Sequence, residues 1–358
     1  MPLLVEHMVK EIRSGTALGA AACVWHRGEL IFDGAVGDRR ENQPLAPTDD
    51  VPWFSASKIA SSVAVARAWE QGVLDIDEPV SAYVPEFAGG GKEAITCRDL
   101  WTHAAPLQAV DRSINTSMSW SEALERACAG EVDRDTDANG TGYLGHVGML
   151  LLGEAVARRT GIAFADFFDR EVARPLKLTS RLGGAAEAAD LAEVPFLATA
   201  PTKIKFDASA GFPSNCIVGP IRDAARLCQL LVNRGRATGR DLLRSETVAA
   251  IVSPQHFTPM DRRLGMPATT GLGFAIDEFS FGRFCSPKTF GHSGALSCVA
   301  FGDPEAEVAA AIFFNGICPL AGHVRRISAA SSAVYRDLGL AGLSEPDRDH
   351  PTPFGVAM

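Results

Sequence analysis

The sequence contains no run of 18 apolar residues, so no segment is long and apolar enough to form a transmembrane helix. It has no block of lysine and arginine, and its 34 basic against 43 acidic side chains give a net charge of −9. Because a basic surface is what binds a phosphate backbone, we expect no nucleic-acid partner and no membrane partner. The N-terminal stretch MPLLVEHMVKEIRSG has helical spacing and two acids, which is not the pattern of a secretory signal. We therefore expect a cytoplasmic protein.

Metal-binding and disulfide patterns are also missing from the sequence. The eight cysteines lie far apart without a C-x-x-C pair, which favours reduced buried thiols over a zinc cluster or a disulfide framework. The histidines form no H-E-x-x-H pair, and the acidic run at 133–137 lacks the glycine and distal glutamate of an EF-hand loop. The segment 271–273 is too short for a dinucleotide loop. We expect no metal and no organic cofactor.

The length of 358 residues, with 46% hydrophobic residues, predicts a globular protein of roughly two domains. Both chain ends have patterns typical of sheet plus helix. A hairpin is predicted from 20–25 and 29–36, strands at 271–277, 296–302 and 308–315, and a helix over 322–338. We predict an α/β body from 1–56 and 203–343, a mainly helical domain over 57–202 between them, and an extended tail over 344–358.

Helical periodicity is concentrated in the middle of the chain. Ser119 and Glu122 have the spacing of a capping box, and glycines follow three of the apolar periodic stretches. Loops are predicted at the Pro/Gly-rich joins 85–91 and 183–202. The predicted helices cover 57–72, 119–128, 148–159, 221–233 and 246–252.

The first motif with chemical meaning is Ser55-Ala56-Ser57-Lys58 at the start of the predicted helix over 57–72. At a spacing of i and i+3, Ser55 and Lys58 share one face. A serine hydroxyl becomes a nucleophile when a base takes its proton, and a partly buried lysine serves as that base if it stays neutral. The helix N-terminus adds N–H groups that stabilise an oxyanion. An N-cap serine followed by a surface lysine would give the same four letters.

Two further segments add to this motif. Tyr143, one of only three tyrosines, lies on a glycine-rich loop that leads into the predicted helix over 148–159. The segment from Gly291 through His292, Ser293 and Gly294 to Ala295 leads into an apolar strand. Taken alone, Tyr143 could equally be a packing residue. The His-x-Gly segment, taken alone, could equally be a turn.

Together and in this order, the three motifs resemble the serine β-lactamase and penicillin-binding-protein superfamily, in its class C and family VIII carboxylesterase or transesterase branch. The resemblance covers most of the chain. It implies an α+β, β-lactamase-like fold with a central antiparallel sheet from both chain ends, flanked by helices, plus a mainly helical inserted domain. Further segments that carry it lie at 100–103, 153–154, 174–178, 222–226, 271–274 and 301–305.

The resemblance implies Ser55 as the acylated nucleophile, Lys58 as its proton acceptor and Tyr143 as a second acid and base, either as a phenolate or sharing a proton with Lys58. The backbone N–H groups of Ser55 and Ala295 would form the oxyanion hole. His292 would stand where β-lactamases carry the lysine of K-T-G and face the substrate. We also expect substrate contacts from Ser293, Gly294, Trp120 and Phe212.

The departures from the family pattern bear on the substrate. K-T-G is replaced by His292-Ser293-Gly294, and the nearby Lys288-Thr289-Phe290 has no glycine at its third position. Gly145 stands where Y-x-N carries an amide side chain, and a site that lacks such a group relaxes or redirects its selectivity. His146 either compensates or is a loop residue. The segment 106–141 is either a pocket lining or a helical cover, and 212–215 is a second possible wall.

Four functions remain compatible with this family. An esterase acting on small acyl esters is the first, and a transacylase that passes the acyl group to an alcohol or amine is the second. Residual β-lactam or D-amino-acid amide hydrolysis is the third, and a catalytically silent binding protein is the fourth. The presence of Ser55, Lys58 and Tyr143 together argues against a silent fold, and the absence of a G-x-S-x-G motif argues against an α/β-hydrolase. We expect a small-molecule acyl donor, while the oligomeric state is open.

Overall fold

The computed structural model describes residues 1–133, 141–183, 208–237, 239–295 and 297–341, together with the backbone of 195–196 and 202–203. Among these residues, nine strands form one antiparallel sheet in the order β11-β12-β13-β14-β15-β16-β1-β2-β3. The strands of this sheet are β1 (Gly19–His26), β2 (Glu29–Arg40), β3 (Gln43–Pro44), β11 (His256–Asp261), β12 (Met266–Thr270), β13 (Ala275–Ile276), β14 (Phe290–Gly294), β15 (Cys298–Asp303) and β16 (Val308–Phe314).

The remaining strands are short. β4 (Val51–Pro52) and β5 (Arg181–Leu182) pair on either side of β8 (Ile217–Gly219). Two further two-stranded ladders join β6 (Pro195–Phe196) to β7 (Thr202–Lys203) and β9 (Arg236–Ala237) to β10 (Arg240–Asp241). The three-stranded ladder is the one that matters for function, because β4 leads directly into the segment that carries Ser55.

The first and last strands of the large sheet pair with each other. β1 and β16 run antiparallel from Ala20 opposite Phe314 to His26 opposite Val308. Successive side chains of a strand point to opposite faces, and both faces of these two strands are apolar and buried. The pairing confirms the predicted fold, a central antiparallel sheet built from both ends of the chain and covered by helices.

Helices cover both faces of the sheet. α1 (Pro2–Arg13) and α11 (Leu320–Asp337) pack together on one face through residues such as Leu4, Val324 and Ile327. α2 (Ser57–Glu70) and α9 (Ile221–Val232) belong to the core on the other face. The other helices are α3 (Cys97–Trp101), α4 (Gln108–Arg112), α5 (Trp120–Ala129), α6 (Val147–Thr160), α7 (Phe164–Phe168), α8 (Arg174–Leu176) and α10 (Ser245–Ile251).

Most of the predicted helices are present with small changes at their ends. The capping box before α5 is formed, because the Glu122 carboxylate accepts from the Ser119 N–H at 2.8 Å and the Ser119 hydroxyl accepts from the Glu122 N–H at 3.3 Å. α6 ends at Gly161, whose φ of +74° is the left-handed conformation that favours glycine. None of the helices in the described residues is both long and apolar enough to cross a membrane.

The strand prediction at 271–277 is only partly correct. Only Ala275–Ile276 is a strand, because a tight turn occupies the preceding residues and the Gly271 N–H donates to the Phe274 carbonyl. β11 and β12 have no counterpart in the prediction. β11 contains Pro259, which an edge strand tolerates because one side of it forms no ladder.

The domain boundaries at 56/57 and 202/203 stay a prediction. The described strands of the large sheet all lie before residue 45 or after residue 255, and most helices lie between these two groups. Most of the predicted loop over 183–202 and the whole predicted tail over 344–358 lie outside the described residues.

Candidate active site

Ser55 lies in a single 3-10 turn, Phe54–Ala56, which leads directly into α2. Trp53 and Phe54 are buried, and the Trp53 indole N–H donates to the Gly219 carbonyl at 3.0 Å, which holds the turn against β8. Phe54 has a φ of +48°, a conformation that costs energy for a bulky residue and persists only where its surroundings impose it. Ser55 itself remains partly exposed and lines a cavity of about 420 Å³.

Lys58 is completely buried beneath this turn. Its Nζ donates to the Gly145 carbonyl at 2.8 Å and to the Ser214 carbonyl at 3.2 Å, and lies 5.0 Å from the centroid of the Tyr143 ring. Burial lowers the pKa of Lys58 to about 7, while Asp111 opposes this shift. A neutral amine satisfies both carbonyls with two N–H bonds and keeps its lone pair for an incoming proton. The side chain is therefore suited to act as a base near pH 7.

Tyr143 lines the same cavity, with its ring between two imidazoles. The ring centroids of His103 and His292 lie 4.8 Å and 5.6 Å from that of Tyr143. Its hydroxyl is buried and has no hydrogen-bond partner of normal geometry among the described residues. Burial raises the pKa of Tyr143, and the adjacent Ser55 hydroxyl offsets part of this rise. Tyr143 is thus a neutral phenol at pH 7, which argues against the phenolate that the sequence left open.

The loop that carries Tyr143 is held by two aspartates. Asp261, at the end of β11, accepts from the Tyr143 N–H at 2.6 Å. Asp111, on α4, is fully buried and accepts from three consecutive N–H groups, those of Gly145 at 2.8 Å, His146 at 2.7 Å and Val147 at 2.9 Å. These bonds satisfy backbone donors at the start of α6 that no residue within the helix can reach.

Arg263 completes this support from the turn between β11 and β12. Its guanidinium pairs with Asp111 and lies 5.6 Å from the centroid of the Tyr143 ring. A Cβ atom on Gly145 would lie only 2.7 Å from an Arg263 Nη atom. Arg263 therefore fills the space beside Gly145, and an amide side chain at this position would have to displace the Arg263 guanidinium.

The third motif forms β14 and the turn after it. Gly294 packs so closely on the segment before Ser55 that a Cβ there would lie 2.3 Å from the Trp53 carbonyl oxygen. This close approach brings Ala295 to the cavity that Ser55 lines. The arrangement is compatible with the predicted oxyanion hole, in which the Ser55 and Ala295 N–H groups point at one oxygen.

The imidazoles around the tyrosine are uncharged at neutral pH. Burial lowers the pKa of His292 to about 3, and its Nδ1–H donates to the Ser293 carbonyl at 2.6 Å, so Nε2 is left as an acceptor. His103 is also buried, its pKa lies well below the usual range because of burial and the Lys58 charge, and its Nδ1 accepts from the Leu144 N–H at 3.2 Å. His103 therefore braces the tyrosine loop.

Glu278 is an acidic group on the cavity wall that the sequence did not single out. It precedes a 3-10 turn, Phe279–Phe281, and its carboxylate accepts from the Ser293 hydroxyl at 3.5 Å. Burial raises the pKa of Glu278 to about 7, which hydrogen bonds from Ser280 and Ser293 partly oppose. Much of the remaining cavity wall is apolar and is formed by Phe257, Leu264, Met266, Pro267, Ile276 and Phe279.

Trp120 and Phe212 lie outside this cavity lining. Their rings contact each other with centroids 6.3 Å apart, and the Trp120 indole N–H donates to the Glu154 carboxylate at 2.8 Å. Both residues thus have packing contacts, and the expected substrate contact stays a prediction. None of the described residues of 106–133 lines the cavity either, so this part of the segment is a helical cover that supplies Asp111 from behind.

Sequence reasoning missed Asp111, Asp261, Arg263 and Glu278. The signal for Arg263 was indirect, because the glycine at position 145 marks a place where another group approaches. His146 is a half-buried residue at the start of α6, with its Nδ1 3.2 Å from the Ser214 hydroxyl. No group of three or more potential metal ligands occurs among the described residues.

Comparison with known proteins identifies the family to which the chain belongs. The family model for Beta-lactamase matches residues 4–333, so the chain belongs to the beta-lactamase family. Esterase/beta-lactamase LipL of Mycobacterium tuberculosis is 25% identical over 94% of this chain and 86% of its own length.

Solved structures of related fold include enzymes acting on esters. A family VIII carboxylesterase superposes with a TM-score of 0.78 at 21% identity, covering 94% of this chain and 96% of its own. EstCE1, described as a hydrolase with promiscuous acyltransferase activity, superposes with a TM-score of 0.77 at 17% identity, covering 93% and 98%. At these identities the likeness shows the β-lactamase-like fold. The family and its esterase relative support a serine hydrolase.

Replacing Gly294 by alanine should separate β14 from the turn that carries Ser55. The added methyl group would overlap the Trp53 carbonyl, so the strand must shift and take the Ala295 N–H with it. We expect kcat/KM for a p-nitrophenyl ester to fall about a hundredfold, the usual effect of losing one oxyanion donor. The matched control is Gly322→Ala in α11, where the nearest atom to the new methyl lies 3.4 Å away and activity should be kept. Normal activity in Gly294→Ala would refute the predicted oxyanion hole.

Proposed function

We propose that the protein is a serine acyl-enzyme hydrolase or acyltransferase that acts on esters of small molecules through Ser55, Lys58 and Tyr143. The observation that carries the proposal is the buried Lys58 amine, with a pKa of about 7, directly beneath the turn of the nucleophile serine. A structural lysine would be expected to stay charged and paired with a carboxylate, whereas Lys58 donates its two hydrogen bonds to the neutral carbonyls of Gly145 and Ser214.

Acylation begins when the Ser55 hydroxyl proton passes to Lys58 and its Oγ forms a bond to the ester carbonyl carbon. The negative charge that develops on the carbonyl oxygen is stabilised by the N–H groups of Ser55 and Ala295. As the C–O bond to the leaving alcohol breaks, the Tyr143 hydroxyl donates a proton to that oxygen and recovers one from Lys58. The products of this half-reaction are the free alcohol, which carries the proton lost by Ser55, and an ester on Ser55, with Lys58 and Tyr143 back in their starting protonation states.

Deacylation repeats these steps with an incoming nucleophile. Water yields a carboxylic acid, whereas an alcohol or amine yields a new ester or amide, and the partition depends on whether the acceptor site excludes water. A biosynthetic transacylase is thus the alternative that uses the same intermediate. Activity on β-lactams or D-amino-acid amides is a further alternative, which Gly145 and the adjacent Arg263 disfavour. Residence in the cytoplasm, a small-molecule acyl donor and an alcohol or amine acceptor belong to the same proposal.

The rate of acylation should rise with pH through about 7. The neutral fraction of Lys58 increases about tenfold between pH 6 and pH 8 for a pKa of about 7. His292 and His146, with pKa values lowered to about 3 and about 4, are neutral over this whole range. The measurement is kcat/KM of p-nitrophenyl butyrate against pH, since this ratio reports ionisation of the free enzyme.

Glu278 titrates in the same range, because burial raises its pKa to about 7. The profile is therefore also measured in Glu278→Gln, in which the rise near pH 7 should persist. A flat profile in the native protein would contradict a pKa near 7 for a Lys58 base, and a rise that disappears in Glu278→Gln would belong to Glu278.

Mass spectrometry after mixing with p-nitrophenyl butyrate tests the proposal directly. A butyryl adduct on the Ser55 peptide is the expected result, and its decay with and without a panel of alcohols and amines separates the two outcomes. Clearance by water identifies a hydrolase, and clearance only with an acceptor identifies a transacylase. Release of nitrophenol with an adduct on another residue would contradict the proposal.

A further inference from the structure

Glu278 brings a carboxyl group to a cavity that is otherwise largely apolar. It retains part of its surface there, and its hydrogen bond with Ser293 ties it to β14, the strand that ends at Ala295. No lysine or arginine among the described residues forms an ion pair with it. The cavity therefore contains an acid without a cationic partner of its own.

The one arginine on the described cavity wall is already engaged. Arg263 pairs with the fully buried Asp111, so its charge is balanced from behind the Tyr143 loop and is not free for Glu278. Burial raises the pKa of Glu278 to about 7, which means that the residues around it only partly compensate its charged form. A bound cation would supply that compensation, and the apolar walls would strengthen the attraction by excluding water.

The catalytic chemistry does not account for this group. Ser55, Lys58, Tyr143 and two backbone N–H groups complete the proposed acylation, and each proton in it has a donor and an acceptor. The Glu278 carboxylate disfavours a negative charge on the Tyr143 oxygen, since it raises the pKa of Tyr143. Its presence in the cavity thus fits a role in recognition better than one in proton transfer.

We propose that Glu278 is a specificity-determining residue that selects ester substrates carrying a basic amine or quaternary ammonium group. The inference rests on the proposed function, because it names the substrate class of that same site. It also implies that a substrate with a carboxylate at the corresponding position is disfavoured, since two like charges would meet in a poorly hydrated cavity. Coulomb attraction to Glu278 holds the cationic group of the substrate. No ion pair among the described residues has to break for this group to bind.

The test uses two pairs of esters that have the same shape and differ in charge. On the acyl side, the p-nitrophenyl ester of 4-(trimethylammonio)butyric acid is compared with that of 5,5-dimethylhexanoic acid. On the alcohol side, acetylcholine is compared with 3,3-dimethylbutyl acetate. At pH 8 the native protein should favour the cationic member of at least one pair by about tenfold or more in kcat/KM.

Substitution of the carboxyl group should remove this preference. In Glu278→Gln the cationic-to-neutral ratio should fall to about one, and Glu278→Asp should retain part of it. Glu246→Gln, which makes the same change in net charge on a different cavity, should leave the ratio as in the native protein. A native ratio near one for both pairs, or a ratio that survives in Glu278→Gln, would overturn the inference.

Equilibrium binding separates this inference from the proposed chemistry. Calorimetry with Ser55→Ala, which forms no acyl-enzyme on Ser55, should show tighter binding of the cationic ester of the preferred pair. Adding Glu278→Gln should abolish the difference. If the native protein shows no turnover but Ser55→Ala binds the cationic ester more tightly, the proposed function is refuted and the inference about Glu278 is kept. If the native protein turns over esters but shows no such binding preference, the inference is refuted and the proposed function is kept.

Discussion

Ser55→Ala should abolish ester turnover while leaving the folded protein intact. The hydroxyl is the only group in the proposed reaction that forms a bond to the substrate, and without it the remaining groups have nothing to activate. We expect kcat for p-nitrophenyl butyrate to fall by about 10⁴ to 10⁶, the range found when a serine hydrolase loses its nucleophile. Because Ser55 is partly exposed, the free energy of unfolding should change by less than about 1 kcal/mol.

The matched control is the next serine along the chain. The Ser57 hydroxyl is buried and accepts from the Ile217 N–H at 3.0 Å, so it supports β8 instead of facing the cavity. Ser57→Ala should cost about 1 to 2 kcal/mol in the free energy of unfolding and still form the acyl-enzyme. Turnover that survives in Ser55→Ala, or that is lost only in Ser57→Ala, would show that the nucleophile is misassigned.

Asp111→Ala should produce the largest loss of stability. The substitution removes the acceptor of three backbone N–H groups and leaves the Arg263 guanidinium without its carboxylate. Breaking one partner of a buried charged pair costs about 3 to 5 kcal/mol, which urea unfolding will measure. Activity should fall as well, because the loop that carries Tyr143 and the Gly145 carbonyl would lose its anchor.

Two variants keep this prediction testable if Asp111→Ala does not fold. Asp111→Asn retains an acceptor oxygen and should be less destabilised than Asp111→Ala. Asp133→Ala removes a more exposed carboxylate, which accepts from the Gln108 and Ala109 N–H groups at the start of α4, and should cost only about 1 kcal/mol. If Asp111→Ala and Asp133→Ala lower the free energy of unfolding equally, the buried network around Asp111 contributes no more than an ordinary helix cap.

The residues of the proposed chemistry were predictable because each lies in a short local pattern. Ser55 and Lys58 are one helical turn apart, and the three motifs occur in a fixed order along the chain. The groups that support them were not predictable in this way, because Asp111 acts across 34 residues on Gly145 and across 152 on Arg263. No local periodicity connects positions so far apart.

The same reasoning explains which parts of the fold were missed. The hairpin β1–β2 consists of two short apolar runs around a turn at 27–28, and helices such as α6 follow a period of 3.6 and end at glycine. β11 and β12 do not, since each contains a proline and their burial pattern is irregular. The substrate contact of Trp120 and Phe212 stays a prediction, because an aromatic residue between two motifs gives no sign of the side on which it packs.

The pairing of β1 with β16 bears on how the protein acquires its activity during synthesis. β1 has no partner on the β16 side until Phe314 and the rest of β16 have been synthesised. Closing the long loop between these two strands has an entropic cost that slows folding. The ribosome completes Ser55, Lys58 and Tyr143 well before Asp261, Arg263 and Gly294. We therefore expect nascent chains that end before β14 to carry the nucleophile and its base yet form no acyl-enzyme, so that reactivity is withheld until translation is nearly finished.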